Sequence, residues 1–268
     1  MEENIVVATF YKFLRLPDYR NLRNPLLARC QSLGVRGTIL LAEEGINATI
    51  AGERDAVDGL LSYLRGDRRF ADLLVKESIH SSIPFQRMKV RLKPEIVAMK
   101  VAGVDPNRQV GKYIEPRDWN SLIAQDDVLL VDARNDYEVR IGRFKSAINP
   151  KTESFHELPS YFAGQLDPKR NMRVAMYCTG GIRCEKATAY LLQLGFEEVY
   201  HLRGGILRYL EEVEPAESLW QGECFVFDER VSLDHSLRKG ETVICDDCKA
   251  MVKRTDEACL QCGSANIL

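Results

Sequence analysis

From Arg173 to Gly195 the chain reads Arg-Val-Ala-Met-Tyr-Cys-Thr-Gly-Gly-Ile-Arg-Cys and continues with helical spacing that a glycine ends. Val174 to Tyr177 is a nearly continuous apolar run of strand length, as expected for a strand buried on both faces. A strand that passes into a helix through two glycines leaves few folds open. Val128 to Ala133 is a second such run, and helical segments lie between and after the two. From Trp119 onward this alternation predicts an open α/β domain with a parallel sheet.

The same segment carries the first candidate chemistry. Cys178 stands at the strand end, and Gly180 and Gly181 permit a backbone that turns several N–H groups inward at a helix start. Such a setting can lower a cysteine pKa from about 8.5 to roughly 3.5–7.5 and so make an exposed, nucleophilic thiolate at neutral pH. Arg183 adds positive charge. The alternative is a buried small hydrophobe, the commoner fate of a lone cysteine, which the two glycines and the arginine disfavour. Cys184 is either a resolving thiol for an oxidised Cys178 or plain packing, with packing weighted slightly higher.

The first hundred residues follow a different pattern. Asn4 to Phe13 predicts a strand, Asn24 to Leu33 a helix closed by Gly34, and Arg36 to Ala42 with Asn47 to Ala51 a hairpin about Glu43-Glu44-Gly45. A helix over Asp55 to Arg65 and strands over Leu74 to His80 and Arg87 to Leu92 complete a β-α-β-β-α-β order. That order predicts a ferredoxin-like, acylphosphatase-like α+β sandwich over residues 1–93. Residues 94–117 hold three prolines and two glycines with no sustained period and are taken as a linker. The α/β domain then spans 118–215, and 216–268 is a small polar, cysteine-rich tail opened by a strand at Glu223 to Asp228. The whole is a multidomain chain of mixed α/β and α+β class.

The chain has eight cysteines in 268 residues and nothing resembling a secretory signal, so a cytoplasmic protein with free or metal-bound thiols is expected, without a membrane-spanning segment. Cys245-Asp-Asp-Cys248 and Cys259-Leu-Gln-Cys262 are two C-x₂-C knuckles separated by ten residues, the spacing that encloses one tetrahedral zinc. A tail this poor in large apolar residues needs a metal to organise it, so structural Zn²⁺ is placed ahead of a metal-free tail or a redox pair. No function is assigned to Cys30 or Cys224. Net charge is −2, divided between sixteen Lys+Arg against twelve Asp+Glu in residues 1–100 and 21 against 27 in the rest. General attraction to phosphate is thereby excluded, and a nucleic-acid partner would need a local basic patch.

Cys178-Thr-Gly-Gly-Ile-Arg183 resembles the six-residue active loop of rhodanese domains. Val131-Asp132-Ala-Arg134, Glu138, Gly142, Ala147, Pro150 and Leu202-Arg-Gly-Gly205 agree with it, while Arg143 stands where many rhodaneses carry histidine. Gly37-Thr-Ile-Leu-Leu-Ala-Glu-Glu-Gly-Ile-Asn47, Met88-Lys-Val-Arg-Leu-Lys93 and Gly222-Glu-Cys-Phe-Val-Phe-Asp-Glu-Arg-Val231 extend the likeness over nearly the whole chain. Together these motifs resemble the tRNA uridine(34) hydroxylase family, the TrhO type. The resemblance implies oxygen-dependent conversion of the wobble uridine to 5-hydroxyuridine, with molecular oxygen as co-substrate, no recognised organic cofactor, and Cys178 required.

The loop residues Thr179, Gly180, Gly181 and Ile182 then cradle the sulfur, Arg183 assists it, and Asp132, Arg134 and Cys184 support it. A tRNA anticodon stem-loop is the implied partner, with Arg36, Arg87, Lys89, Arg91 and Lys93 as phosphate contacts. The plain alternative for these five is a solvated sheet face. Two further readings stand beside hydroxylation: a sulfurtransferase carrying a Cys178 persulfide, and a non-catalytic interaction module. Oligomeric state is not legible in the sequence.

Overall fold

The computed structural model describes residues 5–170 and 173–265; Asn4, with which the first expected strand opens, lies outside them. The chain divides into two compact units, Met1–Ala98 and Met99–Leu268.

The first unit contains β1 (Ile5–Phe13), α1 (Tyr19–Ser32), β2 (Arg36–Ala42), β3 (Gly45–Gly52), α2 (Arg54–Arg65), β4 (Val75–His80) and β5 (Met88–Leu92). The strands lie in the order β4-β1-β3-β2-β5, antiparallel throughout except that β5 runs parallel to β2. The period-2 alternation decides which side is buried. Val6, Ala8 and Phe10 of β1, Ile39 and Leu41 of β2, and Ile46, Ala48 and Ile50 of β3 form one core with Leu26 and Cys30 of α1 and Val57, Leu60, Leu61 and Leu64 of α2. α1 starts at Tyr19, five residues before the expected Asn24, and carries Pro25 inside it. Pro25 suggests a helix start because proline suits a first turn. The added turn is held by packing, since Tyr19 and Leu22 lie against the core.

The second unit contains β6 (Lys112–Ile114), α3 (Pro116–Ile123), β7 (Val128–Asp132), α4 (Asp136–Ile141), β8 (Gly142–Phe144), α5 (Leu158–Gln165), β9 (Arg173–Tyr177), α6 (Ile182–Gln193), β10 (Glu198–Leu202) and α7 (Gly205–Glu212). Its main sheet is parallel, ordered β6-β10-β9-β7. The stretch 94–117 is therefore no simple linker: β6 pairs with β10, and Ile96 is buried in the first unit, where its N–H donates to Glu44 Oε1 and its carbonyl accepts from Asn47 Nδ2. A three-residue edge strand between glycine and proline has too few residues to show a period.

The segment after α7 is also more than a tail. β11 (Trp220–Gly222) pairs with β8, and Trp220 and Cys224 enter the core built from Trp119, Phe144, Tyr177 and Tyr209. Phe144 is met edge-on by Tyr177, Tyr209 and Trp220 at 4.8, 4.9 and 5.3 Å between centroids. The strand expected over Glu223 to Asp228 is shorter: β12 (Cys224–Phe225) turns back as β13 (Ser232–Leu233). β14 (Thr242–Ile244) and β15 (Met251–Lys253) form the last hairpin. Among the described residues no helix is long and apolar enough to cross a membrane.

Candidate active site and metal centre

β9 lies between β10 and β7, so Cys178 emerges at the carboxyl end of an internal parallel strand, the customary place for a site in an open α/β sheet. The loop turns at Gly181, whose φ of +104° suits glycine and few other residues, and α6 begins at Ile182. The Gly181 N–H donates to Cys178 Sγ at 3.2 Å. The glycine turn before α7 closes the loop from the other side. Ile206 and Leu207 donate their N–H groups to the carbonyls of Cys178 and Thr179 at 3.0 and 3.1 Å. A Cβ at Gly205 would stand 2.4 Å from the Cys178 carbonyl oxygen, so this close approach requires glycine.

Burial of Cys178 by itself opposes ionisation. It is outweighed by the Cys184 thiol, the Arg183 charge and the backbone N–H groups of Cys184 and Gly181, which together lower the pKa to about 5. Cys184 is pushed the opposite way, by burial and by the sulfur of Cys178, and stays a protonated donor. The pair thus has one thiolate and one thiol. In one respect the sequence expectation fails: Cys178 is fully buried, where an exposed thiolate was expected. The sulfur is enclosed by donors, and the loop reaches the surface at Gly180 and Ile182.

Arg183 does not aim its donors at open space. Its two terminal nitrogens bind Glu138 Oε1 and Oε2 at 2.6 and 2.8 Å, and one also meets Thr179 Oγ1 at 3.2 Å. Glu138 is fully buried on α4, where its Oε1 also accepts the N–H of Asn135. Burial works against its charge, and the Arg183 guanidinium keeps the carboxyl ionised below the usual range. Asp132 and Arg134 form a second buried pair: Nε donates to Oδ1 at 2.9 Å and Nη2 to Oδ2 at 2.6 Å, while Nη2 also reaches the Gly142 carbonyl. They brace the end of β7 against β8, and the Asp132 charge acts on Arg183 and Cys184 at longer range. Glu138, which the sequence gives only as part of a motif, is the group that organises the loop arginine. Its signal would have been an acid three residues into a helix, opposite a loop arginine 45 positions away.

Arg36, Lys89 and Arg91 lie on adjacent strands β2 and β5, on the sheet face opposite α1 and α2, because Ile39, Leu41, Met88, Val90 and Leu92 point to the helices. Arg87 and Lys93 flank β5 and are exposed. All five expected contacts therefore fall along one sheet edge of the first unit.

The four tail cysteines also converge. The sulfurs of Cys245, Cys248, Cys259 and Cys262 lie within 4.8 Å of one another, with 3.7 Å between Cys245 and Cys262 and 3.5 Å between Cys248 and Cys259. Bonds of about 2.3 Å to a tetrahedral zinc place sulfurs ~3.8 Å apart, so the donor set fits and can bind a metal ion such as zinc. Glu223 ties this hairpin to β13, accepting from Ser232 Oγ, the Thr242 N–H and Lys253 Nζ at 2.7, 3.0 and 2.7 Å. Cys30 and Cys224 are core thiols that burial holds at a pKa of about 12.

Two family models match. Residues 5–96 match a UPF0176 acylphosphatase-like domain and residues 115–212 a rhodanese-like domain. Among solved structures, a rhodanese-related protein from Thermoplasma volcanium is 26% identical with a TM-score of 0.33, over 39% of this chain and 95% of its own. A rhodanese-like domain from Anabaena is 19% identical (TM-score 0.34; 41% of this chain, 78% of its own). An acylphosphatase from Coxiella burnetii is 15% identical (TM-score 0.26; 34% and 96%). Matched in order by these two models, the chain carries a UPF0176 acylphosphatase-like domain followed by a rhodanese-like domain, which is the TrhO/UPF0176 architecture.

Proposed function

We propose that the chain is a tRNA-modifying oxidoreductase that hydroxylates uridine at wobble position 34 to 5-hydroxyuridine, with molecular oxygen as co-substrate. The observation that supports it most is a buried Cys178 thiolate ringed by N–H and thiol donors, in a chain with this two-domain architecture. The sulfur adds to C6 of an extruded uracil, and the C5–C6 π pair becomes an enolate carbon at C5 that bonds oxygen; an external thiol reductant takes the outer oxygen to water, and loss of the C5 proton then expels the Cys178 thiolate and restores the double bond. As the C–S bond forms, the negative charge passes from the sulfur to the enolate of the base, and the loop N–H groups are the donors nearest to receive it. Arg183, occupied by Glu138, positions the loop and acts on the sulfur through its charge. Because Cys178 has no exposed surface, the outer loop at Gly180 and Ile182 moves aside to admit the base.

The sheet edge of Arg36, Arg87, Lys89, Arg91 and Lys93 holds phosphates of the anticodon stem-loop, and the cysteine cluster holds a structural zinc whose four thiolates leave no open position. Nucleoside analysis of tRNA incubated with purified protein tests the activity. Wild type yields 5-hydroxyuridine and Cys178→Ser yields none; an unaltered nucleoside profile with wild type refutes the proposal. tRNA carrying 5-fluorouridine traps a thiol-linked adduct if the C6 step holds.

A second reading, sulfur transfer through a Cys178 persulfide, is favoured by the rhodanese-like domain and its six-residue loop. It differs in product mass, and a persulfide on Cys178 after thiosulfate treatment would support it.

A further inference from the structure

The Gly222–Val231 motif plays no part in the chemistry above, although its turn is braced by backbone bonds and by a buried ion pair. Between β12 and β13 the Val226 N–H donates to the Val231 carbonyl at 2.9 Å and the Val231 N–H to the Asp228 carbonyl at 3.0 Å. Asp228 Oδ1 accepts from the Arg230 N–H and Nε at 3.0 and 2.8 Å, and Oδ2 from Nη2 at 2.7 Å. Both side chains of this ion pair are buried, at 1% and 4% exposure. Val231 adopts a φ of +65°, unfavourable for a β-branched residue. Two-residue strands have little core of their own to justify a buried ion pair and a strained backbone.

What this turn fixes in space is Phe227, which is 61% exposed. Its ring lies 5.8 Å from the guanidinium carbon of Arg183, the last residue of the Cys178 loop. Phe225 packs edge-on against it at 5.0 Å and 88°, and Tyr137 packs edge-on against Phe225 at 5.3 Å. Tyr137 precedes Glu138, which holds Arg183. The aromatic row and the ion pair thus meet at the outer side of the reactive loop. A single exposed aromatic is ordinary on a protein surface. One held rigid beside a buried nucleophile, with more than half its surface in water, offers a flat apolar face the size of one base.

We propose that Phe227 is a stacking platform for an unpaired nucleobase of the RNA substrate, holding it flat at the mouth of the Cys178 loop; this rests on the RNA reading above. Stacking suits the site because both terminal nitrogens of Arg183 are taken by Glu138 and cannot clamp a phosphate, so the contact left to a ligand is π and apolar. Such a contact is tolerant of base identity and acts on binding and orientation.

The test uses full-length protein with Phe227→Ala, Phe227→Leu and Phe227→Trp, and an anticodon stem-loop RNA carrying 2-aminopurine beside the target uridine. Wild type and Phe227→Trp quench the fluorophore. Phe227→Ala and Phe227→Leu bind about 5- to 100-fold more weakly, without quenching, and raise KM more than they lower kcat. Circular dichroism unchanged from wild type shows that the exposed substitution leaves the fold intact. Binding and quenching by Phe227→Leu equal to wild type would overturn the platform, since an apolar but non-aromatic side chain would then suffice. Wild type that binds no stem-loop at all overturns the RNA reading together with the platform, whereas wild-type binding with an indifferent Phe227→Ala overturns the platform alone.

Discussion

At Cys178 two opposing forces set the chemistry. Removal from water favours the neutral thiol, and three donors with one nearby cation favour the thiolate; the latter win and bring the pKa from 9.0 to about 5. Alkylation by iodoacetamide, followed by mass spectrometry at this residue, should therefore rise through pH 5 and level off by about pH 6–7, because the thiolate fraction is then saturated. A rate still climbing at pH 9 would mean an ordinary thiol. Its absolute rate should fall well below that of a free low-pKa thiol, since each event waits on the loop opening. Glu138 yields a second expectation. Its removal leaves the buried Arg183 without a partner, so Glu138→Ala should cost about 3–5 kcal/mol in urea unfolding; a loss below about 1 kcal/mol would mean that water replaces the carboxylate. Cys178 was legible from its neighbours in sequence, because glycines and a helix start are local signals. Glu138 was not, because its partner is 45 positions away and burial is a property of the fold.

At the scale of elements the strongly alternating segments were the readable ones. β1, β2 and β3 carry the residues of the helix-side core at every second position, although Ile5, Val7 and Ala51 are buried on the other face as well, so composition and period showed the strands and the structure shows their facing. Short elements escaped. β6 and β8 have three residues each and exist because β10 and β11 pair with them, a contact that no local pattern encodes. α1 shows the converse, a proline that reads as a beginning but is carried inside the helix by packing on either side. The tail hairpins depend least on apolar burial, since their cluster comprises little beyond Val243, Val252 and the cysteines. Stripping metal with a chelator should release about one zinc per chain and expose the amides of β14 and β15 to hydrogen exchange while β7, β9 and β10 stay protected. Equal exchange throughout the second unit would instead make the cluster part of one cooperative core.

For the molecule as a whole, the charge is divided where the cores are divided. The first hundred residues carry the positive excess, and five of their cations fall along the β2–β5 edge; the thiolate lies in a unit with an acidic balance. Affinity for RNA and reactivity of the sulfur are then separable. Each phosphate neutralised contributes about 0.7–0.9 to the slope of log affinity against log salt. Replacing Arg87, Lys89 and Arg91 together by alanine should flatten that slope by about 2–3 and weaken binding at low salt, with the same loss for unrelated RNA sequences. Fluorescence titration of a labelled stem-loop between about 50 and 200 mM salt measures the slope. An unchanged slope would return the β2–β5 edge to a merely solvated face and require the basic surface to be sought elsewhere.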